Sequence, residues 1–508
     1  MGWASWNHFF CDYTDQTIRD QADALVTSGM RDLGYRYVLI QECIAPARNA
    51  DGELTIDAKR FPHGMKDLVD YIHARGLKAG IYTDIGVHTC FPDPQYECSY
   101  GHEAQDARTF AAWGIDLVEM DFCNQPKGVT GRAIYERMAA AIQASGRPML
   151  FYLCAWGSED PWTWAQGKAQ MWRTTGDISL DQNRVAWTGV VQNFQLNAKH
   201  SVFNAPDSWN DPDMLEVGNQ GLTPDEAQSH FSMWAISAAP LWAGNDLTGM
   251  NDAIHDLYAN PEVIAIDQDP LGAGPSKAME SNGVEVWMKP LGSVGSGVDA
   301  VLLLNLTAAP AEAAVQWSNL GLTGKVQVRD LWAQKDFGEL SGGYKTRLPA
   351  HGSVLLKVSG EFSWAKGATY EAEWPGNIRG GNAALLACPL CSQGYAVSLP
   401  GNRGGEDHGA GNDGAENDGF GGSSLVFSHI GVPRAGRYWI NLVSHKSGSG
   451  GNKVEMRVNR GLPEEVRLKE SGRGSTRVPV ELNQGDNSIA FRFAGQGSVA
   501  IDRLVLSR

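Results

Sequence analysis

The chain of 508 residues lacks the features that would place it in several large classes of protein. No run of apolar residues approaches the length needed to span a bilayer, so we expect no membrane partner. A basic excess is also missing, because 42 Lys and Arg stand against 58 Asp and Glu, for a formal net charge of −16. Nucleic-acid surfaces need basic patches, so we expect no nucleic-acid partner either.

The first 270 residues alternate short apolar runs with amphipathic stretches. The apolar runs predict strands at 37–40, 79–82, 115–120 and 149–153, and the amphipathic stretches predict helices at 15–31, 64–75, 102–113 and 129–145. Repeated βα units imply a parallel sheet with right-handed crossovers, and the total length favours a (β/α)8 barrel over an open sheet. A doubly wound nucleotide-binding fold is the competing interpretation, but no glycine-rich phosphate loop follows the first strand.

Beyond residue 270 the pattern changes to short β-type runs separated by glycine-rich turns. The clearest runs of the next region are 284–289, 299–305, 325–332 and 353–358. We therefore predict an α/β (β/α)8 TIM barrel in 1–272, an antiparallel β-sandwich domain in 273–360 and a C-terminal β-sandwich (jelly-roll) module in 362–508. The acidic, glycine-rich stretch 401–422 is interpreted as a flexible insertion, since Phe420 is its one apolar side chain able to pack.

Two aspartates follow predicted strands of the barrel. Asp121 ends the run 115–121, and Asp177 follows the segment 172–176. Parallel strands direct their last side chains into a shared mouth at the carboxyl end of the sheet. A single aspartate at such a place is most often a helix cap or a loop hydrogen bond. Two carboxylates that converge there suit acid/base or nucleophilic work on an acetal carbon.

The segments around these aspartates, the opening Met1 to Asn7 and the signature Trp209 to Met214 resemble the α-galactosidase (melibiase) group, glycoside hydrolase family 27. The resemblance implies that Asp121 is the nucleophile and Asp177 the acid/base of a retaining double displacement, which needs no cofactor. It also implies sugar contacts by four further residues: Trp6, Tyr82, Arg173 and Asp213.

Several positions depart from the galactose-binding pattern of that family. Galactose-specific members carry two aspartates after the second strand, where this chain has Gln41 and Glu42, and a lysine before the nucleophile, where it has Glu119. A change from Lys to Glu turns donors into acceptors, so we expect Glu119 to accept a hydrogen bond from a substrate hydroxyl. A glutamate near the 2-position is replaced by Ala155, which precedes Trp156. The candidate contacts at these places are Gln41, Glu42, Glu119 and Trp156.

The sequence thus predicts an exo-acting, retaining glycoside hydrolase of α-galactosidase type that acts on an oligo- or polysaccharide. Three related activities stay open as alternatives. Glu42 matches a glutamate of β-L-arabinopyranosidases, small residues at Ala155 and Ser158 resemble α-N-acetylgalactosaminidases, and the domain order resembles isomaltodextranases. A catalytically inactive carbohydrate-binding protein is the alternative outside enzymes, and the retained carboxylates argue against it.

The C-terminal module opens with the segment 370–373 and closes with 500–506. This pairing resembles carbohydrate-binding modules of family 35, in which opening glutamates and a closing aspartate hold a structural calcium ion. Hard oxygen ligands from two chain ends suit calcium, so we predict a structural calcium site formed by Glu371, Glu373 and Asp502. A plain β-sandwich with surface acids is the alternative interpretation.

Eight cysteines permit an oxidised framework. Cys154 matches a bridged position of the family whose usual partner is missing, so that bond is either absent or rerouted to Cys98. No second ligand pair for a metal lies near Cys388 and Cys391 in the sequence, which favours a local disulfide. An oxidising, extracellular or periplasmic location follows, and we expect a leader to have been removed, since residue 1 already falls in a barrel motif. The family resemblance implies two further disulfides: Cys11–Cys43 and Cys90–Cys123.

Overall fold

The computed structural model describes residues 1–92, 95–181, 184–365, 367–401, 422–447, 453–469, 473–493, 495 and 497–508. Within them, eight parallel strands pair in the order β7-β6-β5-β4-β3-β2-β1-β8, and a parallel bridge between Leu215 and Ala243 closes the ring. The predicted barrel is confirmed. Its strands are β1 Gly2–Ala4, β2 Tyr37–Ile40, β3 Lys78–Asp84, β4 Leu117–Asp121, β5 Leu150–Cys154, β6 Met171–Arg173, β7 Trp209–Asp211 and β8 Trp242–Ala243.

Helices surround the barrel, and several of them bury an apolar stripe against it. In Gly64–His73 the buried residues are Met65, Leu68, Val69 and Ile72, which recur at the spacing of one helix face. Thr223 and Glu226 form a capping box that begins Pro224–Ser237. The described α-helices of the barrel are Trp6–Phe9, Asp15–Thr27, Gly64–His73, Glu103–Trp113, Gly131–Ala144, Trp187–Ala198, Pro224–Ser237, Asp252–Tyr258 and Pro261–Asp267.

An antiparallel domain follows the barrel. Its six-stranded sheet and a separate two-stranded sheet enclose a core that includes Val301, Leu303 and Leu356. The opposite face of the large sheet packs on the barrel, because Leu302 and Leu304 belong to the barrel's own core. The large sheet has the order Ser276–Ser281, Val284–Pro290, Val298–Asn305, Ser353–Phe362, Leu322–Asp330 and Lys335–Ser341, and the small one pairs Ala311–Gln316 with Gly343–Leu348.

Two antiparallel sheets form the C-terminal module around a third apolar core, which includes Tyr438, Ile440 and Phe491. Residues 402–421, the greater part of the stretch interpreted as an insertion, lie outside the described residues. One sheet contains Ala384–Ala387, Tyr395–Pro400, Ser498–Ser507, Gly436–Ser447 and Arg473–Leu482, with Ala368–Glu371 also paired to Ser498–Ser507; the other contains Ile378–Gly380, Ser424–Val432, Gly485–Arg492, Lys453–Val458 and Glu464–Arg467.

Three disulfides join Cys11 to Cys43, Cys90 to Cys123 and Cys388 to Cys391, as predicted. The first two fasten the loops after β1 to β4, which surround the barrel mouth. Cys98 and Cys154 are buried free thiols, so the bond at Cys154 is absent rather than rerouted. No helix in the described part of the chain is long and apolar enough to cross a membrane.

Candidate active site

Most candidate residues lie at or just beyond the carboxyl ends of the barrel strands. In the pairing of β3, β4 and β5, Glu119 lies beside Tyr82 and Tyr152, two residues before Asp121. Glu119 and Asp121 are two residues apart on β4, so their side chains leave the strand on the same side. Both are buried at the mouth, with exposed fractions of 2% and 8%.

Asp121 lies among donors that favour its ionised form. The Phe122 amide donates to Oδ1 at 2.8 Å, and the Tyr82 hydroxyl lies 2.9 Å from Oδ2. Burial raises the pKa of Asp121 to about 7, the Phe122 and Tyr82 hydrogen bonds oppose that rise, and the negative charge of Asp177 adds to it. The two predicted catalytic carboxyl groups are therefore close enough to interact electrostatically.

Arg173 holds the predicted acid/base and a pocket acid together. Its side chain is only 3% exposed, and it forms ion pairs of 3.1 Å with Asp177 and 3.0 Å with Asp213. Burial raises the pKa of Asp213 and the Arg173 charge opposes the rise. Asp213 also accepts hydrogen bonds from the amides of Ile178 and Met214, at 2.7 and 2.8 Å. Asp177 by contrast is 71% exposed, at a place where a leaving group and a water molecule can reach it.

Gln41 connects the first loop of the mouth with β4. Its Oε1 accepts a hydrogen bond from the Trp6 amide at 3.1 Å, while its Nε2 donates to Oε2 of Glu119 at 2.7 Å. Burial, followed by the charge of Asp121, raises the pKa of Glu119 well above its ordinary value. A protonated Glu119 keeps the bond from Gln41 on one oxygen and offers an O–H donor on the other.

Glu42 shares the Tyr82 hydroxyl with Asp121. That hydroxyl lies 3.0 Å from Oε1 of Glu42, which also accepts the Phe91 amide at 3.1 Å. A phenol has one proton, so it can donate to only one of the two carboxyl groups at a time. Burial raises the pKa of Glu42, and hydrogen bonds from Thr89, Tyr82 and Phe91 oppose that rise.

Aromatic side chains form the walls of the mouth. Trp6 packs edge-on against Phe10 and Phe91, at centroid distances of 5.2 and 6.3 Å. Trp156 packs edge-on against Phe122, the residue after Asp121, at 6.3 Å. The next amide, of Gly157, donates to the Arg173 carbonyl at 3.1 Å, so Trp156 is held beside the carboxylates. The structure therefore brings every predicted catalytic and sugar-binding residue to one mouth.

Strained backbone is concentrated at this mouth. Glu42, Asn124, Trp156 and Asp213 all have positive φ, between 49° and 110°, and each lies two or three residues beyond a barrel strand. Positive φ is uncommon outside glycine and costs on the order of 1–3 kcal/mol at each residue. Three of these four residues are predicted substrate contacts, so the strain coincides with the candidate site. The sequence pattern gave no signal for it.

Sequence reasoning missed a buried acid on the other side of the mouth. Glu216 accepts hydrogen bonds from Asn7 Nδ2 at 2.5 Å and Asn219 Nδ2 at 2.6 Å. Burial raises the pKa of Glu216 to about 7, the two amides oppose the rise, and the charge of Asp177 adds to it. Asn7 lies in the opening motif and Glu216 follows the signature 209–214 by two residues. Both positions therefore adjoined segments already identified, but only the fold shows that they meet.

Asp84 is a structural acid of the mouth. It is fully buried and accepts hydrogen bonds from the Gly86 amide at 2.6 Å and the Cys123 amide at 3.0 Å. Burial and the charge of Asp121 raise the pKa of Asp84. The sulfurs of Cys90 and Cys123 lie within 4.8 Å of both aspartates, but they are joined in a disulfide and are not thiolate ligands.

A histidine of the C-terminal module lies close to the disulfide of that module. His445 lies within 4.8 Å of Cys388 and Cys391, which adds one possible ligand but not the second ligand pair that a metal would need. The histidine is more than fifty residues away in sequence and arrives on a neighbouring strand. Because both cysteines are oxidised, the group is still not a metal centre.

Two of the predicted calcium ligands, Glu371 and Asp502, are connected by Ser392 at the first and last strands of the module. Ser392 Oγ donates to Glu371 Oε2 at 2.6 Å or to Asp502 Oδ1 at 2.7 Å, and its amide donates to the same Asp502 oxygen at 3.0 Å. Glu373 is fully buried, and neither of its carboxyl oxygens has a hydrogen-bond partner among the described residues. Burial raises the pKa of Glu373 to about 8, with a further contribution from the charges of Glu371 and Asp502.

Comparisons with known proteins agree with this site. Residues 1–269 match the family model described as alpha galactosidase A, and residues 281–358 match that of the alpha galactosidase C-terminal beta sandwich domain. The chain is 42% identical to an alpha-galactosidase of Cyamopsis tetragonoloba, over 71% of this chain and 85% of the relative. For an alpha-galactosidase of Oryza sativa subsp. japonica the identity is 43%, over 66% and 79%. The crystal structure of alpha-galactosidase I from Mortierella vinacea superposes with a TM-score of 0.66 at 33% identity, covering 71% of this chain and 97% of that one.

Proposed function

The chain belongs to the alpha-galactosidase family and is a glycoside hydrolase of that type, and on this premise we propose that it is a retaining exo-glycosidase in which Asp121 is the nucleophile and Asp177 the acid/base. The observation that supports the proposal most strongly is the pair of environments around the two carboxyl groups. Asp121 is buried and fixed by two donors, while Asp177 is 71% exposed and held only by Arg173. A nucleophile needs a fixed position, and an acid/base needs access to the leaving group and to water.

In the first step Asp121 attacks the anomeric carbon while Asp177 gives its proton to the glycosidic oxygen, so the leaving group departs as an alcohol. In the second step Asp177 takes a proton from water, which attacks the same carbon and displaces Asp121. Two inversions at one carbon give net retention. Tyr82 donates a hydrogen bond that stabilises ionised Asp121. Arg173 keeps Asp177 in position during both steps.

Trapping tests this proposal directly. A 2-deoxy-2-fluoro glycoside with a good leaving group slows the second step, so the protein should gain the mass of one sugar on the peptide that contains Asp121. Proton NMR of the first product formed from a nitrophenyl glycoside should show the anomer of the substrate. Appearance of the opposite anomer first would overturn the retaining mechanism.

The sugar that this pocket accepts differs, we infer, from that of galactose-specific members. Gln41 and Glu119 form a direct hydrogen bond at 2.7 Å, where those members carry an aspartate and a lysine. An isomaltodextranase-like hydrolase of α-glucans is the second candidate, because the domain order of this chain resembles that of isomaltodextranases. A panel of nitrophenyl α-galactoside, β-L-arabinopyranoside, α-N-acetylgalactosaminide and α-isomaltoside decides among the alternatives by kcat/KM.

For the C-terminal module we propose a carbohydrate-binding role and a structural calcium ion, and for the protein an extracellular or periplasmic location. The donor types suit calcium: Glu371 and Asp502 share Ser392, and Glu373 has two buried oxygens without a hydrogen-bond partner among the described residues. Glu371, Glu373 and Asp502 would hold the ion, which would tie the first strand of the module to the last. The three disulfides support a secreted location. Titration of the chelator-treated protein with calcium, followed by calorimetry, tests the metal site.

A further inference from the structure

A second large cavity lies where the three domains meet. Its volume is about 1030 Å³, and residues of the barrel, the antiparallel domain and the C-terminal module all line it. The barrel's share comes from the last turn of the helix Trp187–Ala198 and the segment after it. This helix begins on the side of the mouth, after β6, and runs back towards the amino ends of the strands. The cavity is therefore at the opposite end of the barrel from Asp121 and Asp177.

One buried carboxyl group in this cavity has no partner. Asp299 is 5% exposed, lines the cavity and has no hydrogen-bond or ion-pair partner among the described residues. Glu285, another buried acid of the cavity, shows the usual arrangement. It accepts hydrogen bonds from Gln195 and Trp287, both at 2.9 Å, and pairs with Lys277 at 2.6 Å. Burial alone raises the pKa of Asp299 to about 7, because nothing in the protein opposes it.

The carboxyl oxygens of Asp299 are not among the fully buried polar atoms without a partner, so they are accessible from the cavity. A ligand in the cavity would replace the water that hydrates them. Asp299 is on a central strand, paired with Pro290 on one side and Val358 on the other. Its backbone position is thus fixed by two neighbouring strands, and its carboxyl group is held towards the cavity.

The other walls indicate what kind of ligand fits. Phe362, Tyr370 and Trp374 line the same cavity. The Tyr370 hydroxyl already donates to the Val294 carbonyl at 3.3 Å, and the Trp374 Nε1 donates to the Asn204 carbonyl at 2.9 Å. What these side chains still offer is ring surface. A ligand that combines apolar faces with hydroxyl donors would satisfy both the rings and Asp299.

We propose that this junction is a second carbohydrate-binding site, in which Asp299 accepts hydrogen bonds from the hydroxyls of a neutral oligosaccharide. The volume is at the upper end of the range of about 300–1,000 Å³ that small-molecule sites occupy, which suits a short oligosaccharide rather than a single sugar. A metal ion alone is a poorer fit, because the other carboxyl groups of the lining already have partners: Glu280 and Glu285 pair with Lys277, and Glu371 accepts a hydrogen bond from Ser392. The site is separate from the catalytic mouth and would hold a polymer at the opposite end of the barrel.

Thermal unfolding of the full chain gives the first test. In the absence of sugar, Asp299→Leu should raise Tm, because it removes an unpartnered carboxyl group next to empty space. A structural role for Asp299 requires the opposite result, a lower Tm. Glu312→Gln, an exposed acid on Ala311–Gln316 of the same domain, is the matched control and should leave Tm unchanged.

Binding gives the second test, with isomaltotriose and raffinose as probes in an Asp121→Asn background that prevents their hydrolysis. Calorimetry should show binding of the better probe at more than one site, and adding Asp299→Leu should weaken one of these sites at least tenfold and leave the remaining binding unchanged. With active protein, Asp299→Leu should keep kcat/KM on a nitrophenyl glycoside and reduce it on polymer.

Three results would overturn the proposal. The first is that Asp299→Leu leaves the binding of both probes unchanged, and the second is that this substitution lowers Tm. The third is that calcium or tetramethylammonium, tested as cationic ligands, stabilises the protein in a way that depends on Asp299 while neither sugar does. Failure of the proposed catalytic mechanism would appear differently. Asp121→Asn would then hydrolyse the probes, while the binding dependent on Asp299 could still be measured in the presence of turnover.

Discussion

The mouth of the barrel and the first strand of the C-terminal module both bury clusters of acids, but they satisfy them in different ways. At the mouth each carboxyl group has directed donors: Asp121 has Tyr82 and an amide, Glu119 has Gln41, and Asp213 has Arg173 and two amides. In the module Glu373 has none. Directed donors fix the position and the ionisation of a group, which acid/base and nucleophilic chemistry require.

The module's cluster has the opposite need. Three acids with one shared serine repel one another once ionised, and the charges of Arg379 and Arg503 offset only part of that repulsion. A hard cation would remove that repulsion and supply a partner for every oxygen at once. The comparison suggests that the mouth is complete without an ion, while the module is completed by one. Each prediction that follows can contradict one side of this contrast.

The largest effect is expected at the catalytic carboxyl groups. Asp121→Asn and Asp177→Asn should each lower kcat on the best substrate by about 10³-fold or more, since nucleophilic and acid/base contributions are lost without a change of shape. The control is Asp51→Asn, an exposed loop residue that should retain activity. Azide should restore turnover to Asp121→Ala with inverted product, because a small anion can take the place of the missing nucleophile.

A smaller effect is expected at Glu119, where the structure changes an expectation from sequence. We expected an acceptor; burial and the charge of Asp121 raise its pKa, which favours a protonated group that would donate towards the substrate. Glu119→Gln preserves both the bond to Gln41 and a donor, and should keep kcat/KM within a few-fold. Glu119→Leu removes both and should cost about 10–100-fold, the value of one or two hydrogen bonds in a pocket. Equal losses in the two variants would show an ionised acceptor instead.

Sequence alone predicted the barrel strands well, and the reason is physical. A buried parallel strand such as Tyr37–Ile40 is a continuous apolar run, which stands out between amphipathic helices. Arg173 and Asp213 came from the family resemblance, and the structure places them 3.0 Å apart. The network of Asn7 and Glu216 could not be predicted, because it joins residues 209 positions apart whose meeting depends on closure of the barrel.

The surroundings of the buried acids also could not be predicted from the sequence. Asp299 occurs in a run of apolar residues, where a strand pattern predicts only that some side chains face a core. Whether its carboxyl group finds a partner depends on three domains packing at one place. The raised pKa of Glu119 could not be predicted either, because it depends on burial, which the residue type alone does not reveal.

Calcium should stabilise the module and leave the mouth unaffected. If the ion binds Glu371, Glu373 and Asp502, adding 100 times its dissociation constant contributes about 2.7 kcal/mol, which raises the module's Tm by several degrees. Glu373→Gln should remove most of that gain, and Glu361→Gln, an exposed glutamate on the strand before the module, should not. Activity on a nitrophenyl glycoside should not change with calcium. A fall of that activity on chelation would place the ion in the barrel instead.

The smallest effect is a dependence of stability on pH that calcium should cancel in one region only. The pKa values of Asp121, Glu371 and Glu373 are raised to about 7, 7 and 8, whereas in the unfolded chain such groups titrate near 4. The folded protein therefore binds more protons than the unfolded one between about pH 4 and 8, and its free energy of unfolding falls as pH rises through that range.

Calorimetry should accordingly give a higher Tm at pH 5 than at pH 8 for both the barrel and the module in chelator. With calcium the module's decline should disappear, because the ion binds the ionised carboxylates, while the decline of the barrel should persist. Glu373→Gln in chelator should flatten the module's profile without calcium, since it removes the group with the higher pKa. A barrel profile that calcium also flattens would contradict the contrast between a mouth complete in itself and a module completed by an ion.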